Sequence, residues 1–288
     1  MSQNVWMPPP QSVQGGGRGW LHVLWIGIVL FIATAIVMSM TGNANLYPTV
    51  ILIGNFLVPV VFVAFLYDHQ HLNTLSVETI GKSFGFGGIL GVLGASVLES
   101  LLIHTSADGS LTLGSAFLVG LIEEGCKIAA VLFLARGTRH TNQMDGLLLG
   151  AAVGMGFAAL ESTGYAFTAF LSSNGHVSAS IFSTVLRGLF APFGHGVWTG
   201  ILGAILFRES RPGRFRFNIP VIFTYLFVSL LHGLWDGLPL VVSLAIVVPP
   251  GFPISVVTII LSIIGIIVLS TIYRNARQER MYQAPIRI

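Results

Sequence analysis

The run from residue 112 to residue 134 reads TLGSAFLVGLIEEGCKIAAVLFL, and it decides the fold class. It is long enough for a transmembrane helix, which needs about 20 mostly apolar residues. Glu123, Glu124 and Lys127 stand near its centre. An ionisable side chain at the middle of a bilayer costs about 2.5 to 3.5 kcal/mol on insertion scales. The run therefore predicts a membrane helix whose charged residues need partners or a function.

Seven further apolar runs of similar length accompany this one. The chain is 53% hydrophobic and 9% charged, whereas a soluble domain has about 25% charged residues. The runs are continuously apolar, unlike the alternating pattern of membrane-spanning strands. The sequence predicts an all-α fold, a polytopic transmembrane helix bundle of about eight spans. These spans are predicted at 20–41, 46–67, 84–104, 112–134, 144–171, 181–207, 217–239 and 252–273.

The basic residues predict the orientation of this bundle. Of the 14 Lys and Arg residues, twelve lie outside the predicted spans and fall on one side. Lys and Arg concentrate in cytoplasmic loops, so both termini are predicted to be cytoplasmic. Topology thus explains the net charge of +3, and we expect no nucleic-acid partner. The twelve are Arg18, Lys82, Arg136, Arg139, Arg208, Arg211, Arg214, Arg216, Arg274, Arg277, Arg280 and Arg287.

Nine ionisable side chains lie within predicted spans and away from their ends, eight of them on the fourth to seventh. Glu123 and Lys127 are four residues apart on one helix face, where they can form an ion pair. Glu124 is turned about 100° away and needs a different partner. His232 and Asp236 are also four apart, so the carboxylate can orient the imidazole. The remaining four are Glu99, Glu161, Arg187 and His195.

The depth of these residues indicates that several can meet. With a rise of about 1.5 Å per residue, Glu123, Glu124 and His195 lie near mid-membrane. Glu161 and His232 lie at the middle or slightly toward the outside. Two histidines and one carboxylate are a typical ligand set of catalytic zinc, with a second carboxylate as base. The inventory therefore suffices for water activation.

Each pattern taken alone also fits a structural role. The Glu123 and Lys127 pair could only fix helix packing, and a single buried histidine is more often a hydrogen-bonded core residue. Arg187 could snorkel toward the outer surface. Glu99 is expected to be structural and close to an interface, and Cys126 is expected to be inert in its apolar setting.

Taken together, the motifs resemble the PrsW family of intramembrane proteases, which is related to the type II CAAX prenyl endopeptidases. The similarity covers the fourth to seventh spans in order. Ser162 departs from the pattern, because many members have Asn after the glutamate. The matching residues are Glu123, Glu124 and Lys127 in E-E-x-x-K, Phe157 and Glu161 in F-x-x-x-E, the segment from Arg187 to His195 with Gly200, and the segment from His232 to Asp236.

The resemblance implies an intramembrane endopeptidase that depends on a metal, with Zn²⁺ as the expected ion. It implies Glu123 or Glu124 as the general base that activates water. Candidate metal ligands are Glu161, His195 and His232. Lys127, Arg187 and Asp236 would support the site by balancing carboxylate charge or holding its shape.

The same resemblance suggests the substrate class and the location. The substrate would be a membrane-associated protein, for example an anti-sigma factor, or a lipidated peptide, in the bacterial cytoplasmic membrane. Prenylated CAAX proteins are an alternative, although prenyl endopeptidases typically carry histidine at the position of Glu161. Two alternatives without enzymatic activity are a transporter that uses intramembrane charges and a scaffold.

The predicted domain organisation is simple. Residues 1–19 are rich in Pro and Gly and are expected to be a disordered cytoplasmic tail. Residues 20–274 form a single membrane domain, with the catalytic core at 112–240. Residues 275–288 are expected to be a basic cytoplasmic tail.

Overall fold

The computed structural model describes residues 17–68, 75–104, 111–136, 142–211, 213–248 and 252–283. Most of these residues are helical. The helices are α1 (Gly19–Thr41), α2 (Tyr47–Asp68), α3 (Val77–Lys82), α4 (Gly88–Leu102), α5 (Leu113–Ala135), α6 (Gln143–Ser172), α7 (Val177–Ala191), α8 (Val197–Glu209), α9 (Ile219–Val241) and α10 (Val256–Gln283).

Two π-helical turns join four of these helices into two continuous rods. Ser83–Gly87 connects α3 to α4, and Pro192–Gly196 connects α7 to α8. Seven helices in the described residues are long and apolar enough to cross a membrane. Helix α5 is equally long, but any 18-residue stretch of it includes Glu123, Glu124 and Lys127. The predicted all-α bundle is confirmed, and the predicted orientation stays a prediction.

A short β-hairpin connects α9 to α10. Strand β1 (Ala245–Val248) pairs antiparallel with β2 (Phe252–Ser255), with Ala245 opposite Ser255. The span predicted at 252–273 begins too early because the residues of β2 are as apolar as those of the helix that follows. Helix α10 also continues beyond that span to Gln283. Of the predicted tails, 1–16 and 284–288 lie outside the described residues.

Helix α6 lies at the centre of the bundle and packs closely on α8. An added Cβ at Gly150 would meet the carbonyl oxygen of Thr199, and one at Gly154 would meet that of His195. Gly146 and Gly203 contact each other in the same way. Small residues let helix backbones approach closely in membranes. This spacing of glycines brings the π-turn with His195 against the middle of α6.

The contact between α6 and His195 gives a first testable prediction. Gly154→Ala should destabilise the protein by about 1 to 3 kcal/mol, because the new methyl group overlaps a backbone oxygen that cannot move alone. Gly164→Ala, on the same helix, is the matched control, since a Cβ there meets nothing within 4 Å. The unfolding midpoint of each variant in detergent is the measurement. Equal midpoints for the two variants would contradict the packing.

Candidate active site

Lys127 lies at the centre of the buried charged cluster. Its ammonium donates to Glu123 Oε2 at 3.0 Å and to Glu124 Oε1 at 2.8 Å. The same Nζ atom lies 2.7 Å from His195 Nδ1. The Lys127 side chain is wholly buried, so these contacts replace water around its charge. The pairing of Glu123 with Lys127 is present, and Glu124 shares the same lysine.

The contacts of His195 define its tautomer. An ammonium group has donors and no acceptor, so His195 Nδ1 accepts from Lys127. The ring proton is then on Nε2, which lies 3.0 Å from Glu161 Oε2. A carboxylate that binds one ring nitrogen in this way fixes the orientation of the other. Glu161 thus holds His195 with Nδ1 directed at Lys127 and 3.8 Å from Glu123 Oε2.

His232 is oriented by a second carboxylate. Its Nδ1 atom lies 3.1 Å from Glu124 Oε1 and donates to it. Nε2 lies on the other side of the ring, 3.4 Å from both Glu123 Oε2 and Asp236 Oδ2. Glu124 is completed by Thr199, whose hydroxyl donates to Oε2 at 3.1 Å. Glu124 therefore uses both of its oxygen atoms to hold Lys127, His232 and Thr199 in position.

One ligand atom from each of Glu123, His195 and His232 lies within 4.8 Å of the other two. All three residues are buried, and one ring nitrogen of each imidazole lies within 4 Å of Glu123 Oε2. An ion bound there would replace Lys127 as the partner of His195 Nδ1. This donor set matches the two histidines and one carboxylate of catalytic zinc sites. It differs at one position from the predicted ligands, because Glu161 contacts His195 from the other side of the ring.

Arg187 pairs with Glu161 instead of reaching toward the surface. Its Nη2 atom donates to Glu161 Oε2 at 2.6 Å, and its guanidinium stacks on the ring of Tyr165 at 3.8 Å. The pair joins α6 to α7. Sequence reasoning placed both residues in the cluster, but it could not pair them because they lie on different helices.

A cavity of about 370 Å³ leads to the cluster from one end of the bundle. It reaches Ile103 and Leu111, which flank the connection from α4 to α5. Glu123 lines this cavity, whereas Glu124 does not. Of the paired glutamates, Glu123 is therefore the one that a water molecule or a substrate can contact. The other ionisable side chains along the wall are Glu99, Glu161 and Asp236.

Sequence reasoning did not single out Thr199 or Trp198, and it named Phe157 only as part of the F-x-x-x-E motif. The Phe157 ring packs on Lys127 Nζ at 3.9 Å, and Trp198 lies 4.9 Å from the His232 ring. These rings exclude water from the cluster. The available signal was the PFGHG segment of the π-turn, since π-turns occur frequently at functional sites.

The fold and the site together define a polytopic helical membrane protein with a buried candidate metal centre and a cavity leading to it. The sequence profile of the PrsW family intramembrane metalloproteases matches residues 76–268, more than half of the chain. The chain belongs to this family. Nothing among the curated proteins or the solved structures matches it.

Proposed function

We propose that the protein hydrolyses a peptide bond of a membrane-associated protein, with a Zn²⁺ ion held by Glu123, His195 and His232. The observation that supports this is the convergence of three buried ligand atoms within 4.8 Å. A bound zinc ion polarises the scissile carbonyl and lowers the pKa of its water to about 7. The five surrounding carboxylate and cationic groups then have distinct roles.

We assign the general base to Asp236 rather than to Glu123 or Glu124. Asp236 lines the cavity and lies 3.4 Å from His232 Nε2. As the water oxygen bonds to the carbonyl carbon, Asp236 accepts a proton. The C–N bond then breaks, and the proton passes to the leaving amine. Glu161 suits this role less well, because Arg187 and His195 both contact its Oε2 atom.

Glu161 and Glu124 act as positioning residues in this proposal. Glu161 binds Nε2 of His195, and Glu124 binds Nδ1 of His232. In each histidine this is the ring nitrogen on the side away from Glu123, the side that carboxylates bind in metal-bound imidazoles. Lys127 and Arg187 balance the carboxylate charge in a medium that solvates charge poorly. The proposal replaces Glu161 with Glu123 as the carboxylate ligand because Glu123 is within reach of both histidines.

The substrate we propose is a protein of the bacterial cytoplasmic membrane, such as an anti-sigma factor, or a lipidated peptide. Support for a protein substrate comes from membership in a protease family. A CAAX-type prenyl substrate is less well supported, because Glu161 stands where prenyl endopeptidases typically carry histidine. The transporter alternative is also weaker, since α5, α6 and α9 are continuous helices and α7 continues into α8 through its π-turn, without the broken helices typical of transporters.

Cleavage of a membrane-peptide library by the detergent-purified protein tests this function. We expect cleavage by wild type, its loss on chelation, and its return when Zn²⁺ is added. His232→Ala should be inactive under all three conditions, because it removes one of the three ligands. His22→Ala, an exposed histidine of α1, is the matched control and should cleave like wild type.

Two outcomes would overturn the proposal. If wild type cleaves equally well with and without chelator, the reaction uses no exchangeable metal. If His232→Ala and His22→Ala are equally active, the buried cluster is not the active site.

A further inference from the structure

Glu99 of α4 is a carboxylate in the cavity wall, and it forms no ion pair with any residue that the structure describes. Its Oε1 atom is shielded from solvent, and it has no hydrogen-bond partner within the described part of the chain. Each of the other carboxylates that line the cavity lies beside a Lys, Arg or His side chain. Glu123 has Lys127, Glu161 has Arg187, and Asp236 has His232. An unpaired carboxylate this close to lipid is costly unless a cation joins it.

The carboxylates around the cavity outnumber the positive side chains among the described residues. The cluster has five carboxylates, and Lys127 and Arg187 supply two positive charges. A divalent ion between Glu123 and the two histidines would add two more. One negative charge remains, and Glu99 is the carboxylate without a partner. The five carboxylates of the cluster are Glu99, Glu123, Glu124, Glu161 and Asp236.

The position of Glu99 sets its distance from the reacting bond. Helices α4 and α5 meet at one end of the bundle, where the hydroxyl of Ser115 donates to the carbonyl of His104 at 3.0 Å. A Cβ at Gly94 would meet Cys126 Sγ at 3.3 Å, so Gly94 of α4 and Cys126 of α5 lie at the same level. Glu99 is five residues and Glu123 three residues from that level toward the same end, so the two glutamates differ by about 3 Å along the helices. Both line the same cavity, which places Glu99 beside the substrate close to the cleaved bond.

We propose that Glu99 is a specificity residue that binds a Lys or Arg side chain of the substrate close to the scissile bond. The proposal rests on the proposed proteolytic function and narrows its substrate class. The lysine or arginine enters the cavity along the apolar wall formed by Val92 and Ile103. Its charge then meets the Glu99 carboxylate in a charge-assisted contact.

The test uses apolar transmembrane peptides in which a single Lys is scanned along the chain, each paired with a norleucine counterpart. Binding and kcat/KM are measured for each pair on the full-length protein in detergent. Wild type should prefer Lys over norleucine by about tenfold at one or two positions, the effect of one charge-assisted hydrogen bond. In Glu99→Gln the Lys-to-norleucine ratio should fall to about one. Glu99→Lys should prefer a Glu-containing peptide.

Glu78→Gln is the matched control, because Glu78 is exposed and paired with Lys82 at 2.6 Å. It should keep the wild-type ratio. An equal Lys preference in wild type and Glu99→Gln would overturn the inference while leaving the protease intact. Absence of cleavage by wild type would remove the proposed function, and the binding ratio would still decide whether Glu99 selects a basic side chain.

Discussion

Glu123→Gln is expected to lower kcat/KM for peptide cleavage by about 10³-fold or more, the range seen when a central catalytic group is removed. The amide keeps the volume of the side chain but loses the negative charge that both histidines face. Glu124→Gln should cost only about 10- to 100-fold, because Glu124 supports His232 from behind. The measurement is kcat/KM on one cleaved peptide for both variants. Glu123 lines the cavity and Glu124 does not, which is why their effects should differ.

Glu78→Gln is the control for this pair, since it makes the same change at an exposed ion pair. Its kcat/KM should equal that of wild type. A larger loss in Glu124→Gln than in Glu123→Gln would mean that the two glutamates have the reverse roles.

Lys127→Met should destabilise the protein by about 3 to 5 kcal/mol, as expected when one partner of a buried ion pair is removed. The substitution keeps an unbranched apolar chain of similar length but leaves Glu123 and Glu124 without the ammonium that contacts both. The free energy of unfolding, measured by denaturant titration in mixed micelles, is the readout. Adding Glu124→Gln to the variant should recover part of the loss.

The matched control is Lys82→Met, whose lysine is paired with Glu78 but more than half exposed. Exposed pairs contribute about 0 to 1 kcal/mol, so this variant should remain close to wild type. If Lys127→Met is as stable as Lys82→Met, the carboxylates of α5 do not depend on the lysine for charge balance.

The sequence carried enough information for the helices and for contacts within one helix. Continuous apolar runs predicted the bundle, because only helices satisfy the backbone in lipid over such lengths. The contact between Glu123 and Lys127 followed from their spacing of four residues. The expectation that Glu124 needs a different partner was wrong as far as Lys127 is concerned, because the long lysine side chain contacts both glutamates. Glu124 also binds His232, a contact between helices.

Contacts between helices were beyond sequence reasoning. Whether Glu123 or Glu161 joins the two histidines depends on the rotation of α5 and α6 about their axes. The π-turn at Pro192–Gly196 also rotates His195 in a way that a regular helical count does not anticipate. Glu99 was expected to be structural near an interface, but its helix turns it toward the cavity. The hairpin was missed because its residues continue the apolar pattern of α10.

Metal stoichiometry of the purified protein is the most direct test of the proposed centre. We predict about one Zn²⁺ per chain in wild type and His22→Ala, and close to none in Glu123→Gln, His195→Ala and His232→Ala, since each removes one of three protein ligands. Elemental analysis is done on the preparations used for the cleavage assay, so that metal content and activity are known for the same sample. Full metal content in all three site variants, or an active wild type that holds no metal, would contradict a zinc site formed by Glu123, His195 and His232.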